Sequence, residues 1–164
     1  MKPLYRGIAV AVLQCLLVLS VAGKYALDRE RLPRAWARAT PFDPNLPIRG
    51  RYVSLNLEVN GMVGPQANWP SGAWASATLS ARNGGLFAEG VSFDSGVHVL
   101  RFANGPWRIA EPVAFFISEH IPDPSRRPSG EELWVEVSVP RHGEPRPIRL
   151  AVKKDGVLTP LELR

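Results

Sequence analysis

Residues 52–59 read YVSLNLEV, and this stretch decides the fold class. Val53, Leu55, Leu57 and Val59 alternate with Tyr52, Ser54, Asn56 and Glu58. Period two sends the first set to one face of an extended chain and the second set to the other, which predicts a half-buried strand with one polar face. The same alternation returns at Leu133, Val135, Val137 and Val139, with Trp134, Glu136 and Ser138 opposite. Between and beyond them, apolar runs are cut by turn residues. Segments 74–82 and 86–93 flank Asn83-Gly84-Gly85, which predicts a hairpin. Segment 97–102 follows Asp94-Ser95-Gly96, 107–109 follows Asn104-Gly105-Pro106, and 112–117, PVAFFI, reads as a more buried strand. Segment 122–130 is a polar, proline-rich loop, and 148–152 leads through Lys154-Asp155-Gly156 into a closing hairpin at 157–163. Seven or eight short strands with close turns predict a mainly β chain. Residues 40–164 are expected to form one antiparallel sandwich or barrel-like domain.

Upstream the character changes. Residues 40–49, TPFDPNLPIR, hold three prolines and predict an extended linker. Residues 24–39 are charged and helix-prone, and read as a basic juxtamembrane helix kinked at Pro33. Residues 7–23, GIAVAVLQCLLVLSVAG, carry no charge and are flanked by Lys2, Arg6 and Lys24. At the helical rise they cover roughly 26 Å, close to the roughly 30 Å hydrocarbon core. The organisation expected is therefore a transmembrane anchor at 1–23, the basic helix at 24–39 and the β domain at 40–164. Ser20-Val21-Ala22 would also serve as the cut of an export signal, but the apolar run is longer than most signal cores and meets Lys24 directly. Cys15 follows Gln14 in mid-run, which suits a buried thiol in the membrane better than a lipid-modified cysteine. Five basic residues after the anchor against two before it favour a cytoplasmic domain, while the basic-apolar-small layout favours export.

The formal charge of +5 is unevenly spread. Residues 1–39 hold seven Lys/Arg and two Asp/Glu; residues 40–164 hold thirteen of each. A basic excess confined to the membrane-proximal part suits anionic headgroups at Lys24, Arg29, Arg31, Arg34 and Arg38, and argues against nucleic acid. The β region has no cysteine, so disulfides and thiolate metal sites are excluded there.

The stretch 40–57, TPFDPNLPIRGRYVSLNL, resembles the opening of the GDYXXLXY family of bacterial membrane-anchored proteins. That family shows a transmembrane helix, a threonine, Pro-x-Asp-Pro, and Arg-Gly-Asp-Tyr-x-x-Leu-x-Tyr. Here Pro41-Phe42-Asp43-Pro44 supplies the first element, and Arg49-Gly50-Arg51-Tyr52-Val53-Ser54-Leu55-Asn56-Leu57 the second. Phe116-Ile117-Ser118-Glu119 and the Asp155-Gly156 hairpin are also similar. The motif's aspartate is Arg51 here and its last tyrosine is Leu57, so a role for that carboxylate does not carry over. The resemblance implies a single-pass protein of the bacterial inner membrane with its domain in the periplasm.

Chemistry is thinly signalled. His98, His120 and His142 lie in separate segments with no i, i+4 ligand spacing, and no cofactor motif appears. Glu119 and His120 are acid and base by type, yet neighbours on a strand point to opposite faces. Asp43 reads as a turn residue bonding its own backbone, and Gly50 as relief of crowding where the strand begins. Trp134 stands on the polar face of its strand, to be covered by another layer or offered to a partner. The reading reached is a non-enzymatic protein-interaction module, with Asp43, Pro44, Arg49, Gly50, Tyr52, Glu119 and Trp134 as candidate interaction residues. The alternatives are an envelope hydrolase using Glu119 with a histidine, and a cell-wall glycan or peptide binder using Trp69 and Trp74.

Overall fold

A computed structural model describes residues 3–42, 52–63, 72, 74–90, 96–101, 105–118 and 120–163. The chain divides into two compact units, Met1–Leu32 and Pro33–Arg164. The first is one helix, α1 (Pro3–Arg31), whose segment Tyr5–Arg31 is long and apolar enough to cross a membrane or serve as a signal sequence. Its apolar side chains, from Ile8 through Leu27, lie open all round the helix. The Ser20 hydroxyl donates to the Leu17 carbonyl at 2.8 Å, so its polar group is satisfied within the helix. Arg29 and Arg31 occupy the last turn, where cations suit the carbonyl end of the helix dipole.

The second unit is built from strands β1 (Arg34–Pro41), β2 (Tyr52–Leu57), β3 (Gly61–Val63), β4 (Trp74–Arg82), β5 (Gly85–Glu89), β6 (Val97–Arg101), β7 (Trp107–Ile109), β8 (Val113–Phe116), β9 (Glu132–Ser138), β10 (Arg146–Lys154) and β11 (Val157–Pro160). Among the described residues they join into one open mixed sheet, in the order β11-β10-β9-β1-β5-β4-β6-β7. β2 branches from β1 and carries β8, and β3 pairs with β5. The mainly β character stands, but the sheet is not antiparallel throughout. β1 and β3 both run parallel to β5.

The largest correction is β1. The expected juxtamembrane helix over 24–39 ends at Arg31, and Arg34–Pro41 is a strand at the centre of the sheet. The residue before a proline is steered away from the helical region, so Leu32-Pro33 ends the helix. Beyond it, Ala35, Ala37 and Ala39 alternate with Arg34, Trp36, Arg38 and Thr40, which is period two written with a helix-favouring small residue. The three alanines are fully or nearly fully buried, Ala37 at 0% exposure. β1 pairs with β9 through residues 34–38, with β5 at Trp36, and with β2 through residues 39–41. The compact unit therefore begins at Pro33, seven residues before the expected boundary at Thr40.

A second correction concerns β2. Val53, Leu55 and Leu57 are buried as expected, but Ser54 and Glu58 on the supposed open face are buried too. β1 and β8 flank the strand, and Glu58 is closed in by Arg38 and Arg108. The apolar core joins these residues to Leu86, Val99, Ile109, Val135, Val137 and Leu150. Two hairpins form where the turn chemistry placed them. Asn83 and Gly84 both have positive φ, at 48° and 75°, as do Asp155 and Gly156, at 51° and 83°. That pair of left-handed residues is what a two-residue hairpin turn requires.

Candidate functional site

Three aromatic side chains meet the surroundings where β1, β2 and β8 run together. Tyr52 is directly opposite Phe116 in the β2–β8 ladder, and their rings are tilted at 51° with centroids 6.0 Å apart. Phe42 continues β1, its N–H donating to the Ser54 carbonyl at 2.8 Å. Phe116 is 70% exposed and Phe42 48%, unusual values for phenylalanine. Among the described residues no strand pairs with the other edge of β8. Beside this cluster is a recess of about 530 Å³ lined by Tyr52, Val53, Ile117, Pro122, Asp123 and Arg126. Asp123 is held in a tight turn by the Ser125 N–H and hydroxyl, at 2.9 and 2.7 Å.

Trp134 lies on β9, directly across from Arg38 of β1. Its indole N–H donates to Glu132 Oε2 at 3.1 Å, and the Lys153 ammonium lies 4.7 Å from the ring centroid. One strand across, Arg149 stands 5.4 Å over the Trp36 ring and donates to Glu136 Oε2 at 2.6 Å. Cations held over indole faces are attracted by the ring quadrupole. Trp134 is therefore covered by a neighbouring side chain rather than by a second layer. Arg38, expected at lipid headgroups, pairs with Glu132 at 3.2 Å and Glu58 at 3.8 Å. Arg34 opens the same strand, and Lys24, Arg29 and Arg31 lie on α1. Asp43, Pro44, Arg49, Gly50 and Glu119 lie outside the described residues, as does Trp69.

The histidine chemistry also differs from expectation. His120 is exposed in a turn, and His98 and His142 line one open cleft of about 780 Å³ together with Glu111, Glu144 and Arg146. These residues come from β6, the β7–β8 turn, the β9–β10 loop and the start of β10, so no local motif announces them. The Glu144 carboxyl is raised above its ordinary value, chiefly by its hydrogen bond with Glu111, then by partial burial and by the charge of Glu111. Two carboxyl groups so close share a proton more readily than they hold two charges. Among the described residues, no group of three or more His, Cys, Asp or Glu side chains is placed to hold a metal ion.

The sign of the Glu144 effect follows from its direction. A raised carboxyl pKa adds stability below the unfolded value and loses it as pH rises through the folded value. Glu144→Gln keeps a hydrogen bond to Glu111 without a second charge. It should raise the melting temperature at neutral pH and flatten the acid-side pH dependence, and thermal melts from pH 4 to 8 would check this. An unchanged pH profile would show that the two carboxyls do not interact in solution.

Among the described residues the tryptophans do not form a single ledge. Trp107 is buried in the core, and Trp36 and Trp134 lie beneath cations. Trp74, 68% exposed, leans on His98 at a centroid distance of 6.0 Å. Compared with family models, curated proteins and solved structures, the chain matches none.

Proposed function

We propose that this protein is a membrane-anchored interaction module. In this reading α1 spans the bacterial inner membrane, and the β unit faces the periplasm and folds its apolar face inward as a sandwich-like layer. A partner protein seats on Phe42, Tyr52 and Phe116. The observation that carries the reading is the exposure of Phe42 and Phe116, with the half-buried Tyr52 ring against Phe116, beside a strand edge that no described strand pairs. Large aromatic side chains left open to water mark recognition surfaces, because desolvating them supplies binding energy concentrated in a few residues. The resemblance of residues 40–57 to the GDYXXLXY family favours the periplasmic side over the count of flanking basic residues.

A photo-crosslinking phenylalanine derivative at position 116 of the full chain, in cells, should trap a discrete envelope protein. Tyr52→Ala with Phe42→Ala should remove that adduct at unchanged abundance, since truncating a central aromatic anchor typically costs about 2 kcal/mol or more. A trapped cytoplasmic protein would reverse the orientation, and no adduct at all would remove the aromatic cluster as a docking site.

A further inference from the structure

One face of the sheet across β10, β9, β1, β5 and β4 carries long polar and aromatic side chains with no strand layer over them among the described residues. The ladder register places these residues on a single surface. Arg146, Arg149 and Lys153 of β10 oppose Ser138, Glu136 and Glu132 of β9. Those in turn oppose Arg34 and Trp36, with Arg38 opposite Trp134. Trp36 is level with Gly85, and Gly85 with Arg82. A methyl group on Gly85, level with Trp36 in the ladder, would run into the Asn60 amide, which fills that space.

Among the described residues this face holds six cations, Arg34, Arg38, Arg82, Arg146, Arg149 and Lys153, against three carboxylates, Glu89, Glu132 and Glu136. Residues 33–164 contain only fifteen Lys/Arg against thirteen Asp/Glu. Among the described residues of these five strands the face therefore carries more cations than carboxylates, with Glu58 beside Arg38 at its edge. Glu136 is buried beneath Arg149, Glu89 and Glu132 are partly exposed, and the Arg149 and Lys153 heads lie over Trp36 and Trp134. Indole rings with cations above them are the combination that partitions into the headgroup layer of a bilayer. In the chain, Leu32 and Pro33 alone separate α1 from β1.

We propose that this face docks on an anionic phospholipid surface, so that the β unit lies against the membrane rather than standing off it. Each Lys or Arg near such a surface is drawn to the anionic headgroups, and the charge density is assembled by the sheet from strands more than a hundred residues apart. The aromatic cluster of Phe42, Tyr52 and Phe116 plays no part in it.

The test uses the full chain reconstituted into vesicles of brominated phosphatidylcholine, with or without roughly a third phosphatidylglycerol, and reads tryptophan emission. Quenching should be about twofold stronger with the anionic lipid, and the difference should vanish at 0.5 M salt, where the screening length falls below about 5 Å. Arg146→Ser with Lys153→Gln should abolish the difference, whereas Arg126→Ser, in the loop by Tyr52, should not. Circular dichroism melts would establish that each variant is folded. Trp36→Phe with Trp134→Phe should remove the lipid-dependent signal, because those two rings are the ones brought to the lipid. Equal quenching in both lipids would mean the face is open to an acidic protein instead and would overturn the proposal, as would a lipid-dependent signal that survives loss of both tryptophans.

Discussion

A fragment that starts at Thr40 should fail to fold, while one that starts at Pro33 should fold cooperatively without α1. The difference is seven residues, but they are most of β1. That strand supplies the ladder to β9 on one side and to β5 and β2 on the other. Without it the sheet separates between β9 and β5, and β2 keeps only β8 among the described strands. Ala35, Ala37 and Ala39 are small because other side chains pack close over them, so their loss opens Leu55, Leu57, Val135 and Val137 to water. Domain stabilities of about 5–15 kcal/mol leave no margin for removing a central strand. Far-UV circular dichroism and urea titration would separate the two fragments. The longer should show a single steep transition, and the shorter a non-cooperative slope or aggregation. A sharp transition of equal steepness from the shorter fragment would mean that β1 is an accessory to the sheet, not its centre.

How much of this was legible depends on how local each signal is. β2, β4, β9 and the two hairpins could be read because alternation and a pair of turn residues act within a few positions. Asn83-Gly84 and Asp155-Gly156 fixed their own connections. β1 was misread for a physical reason: alanine carries the core pattern there, and alanine is both the best helix former and too small to register as apolar. Its strand state comes from Pro33 and from partners up to a hundred residues away, so tertiary context overrides local propensity. β3, at three residues, is too short to show any period. The same limit governs the sites. Tyr52 was identifiable from its own strand, but its companion Phe116 is named only by the β2–β8 register. The Glu111–Glu144 pair lies thirty-three positions apart, whereas sequence adjacency pointed to Glu119 and His120. Arg149 and Lys153 were plain charged residues until the ladder set them above Trp36 and Trp134.

Glu58 should prove the most sensitive polar residue of the β unit. Its side chain is 9% exposed, with Oε1 3.0 Å from Arg108 Nη2 and Oε2 3.8 Å from Arg38 Nη1. Its backbone N–H donates to the Arg38 carbonyl at 2.9 Å, and it bridges to Arg108, so one residue ties β1, β2 and β7. A carboxylate pulled from water is tolerable only while its partners remain. Glu58→Ala leaves two guanidinium groups facing a void. Breaking a buried pair from one side costs about 3–5 kcal/mol, and the lower end applies here because both arginines can turn partly to water. Glu58→Gln keeps volume and one hydrogen bond and should cost about 1–2 kcal/mol. Urea unfolding in low and high salt would measure both variants. The penalties should persist in high salt, since a pair this enclosed is poorly screened, unlike the open Arg126–Asp123 pair. A Glu58→Ala penalty under 1 kcal/mol, or one that disappears with salt, would mean the carboxylate is solvated in solution and that the branch of β2 from β1 is held by backbone pairing alone.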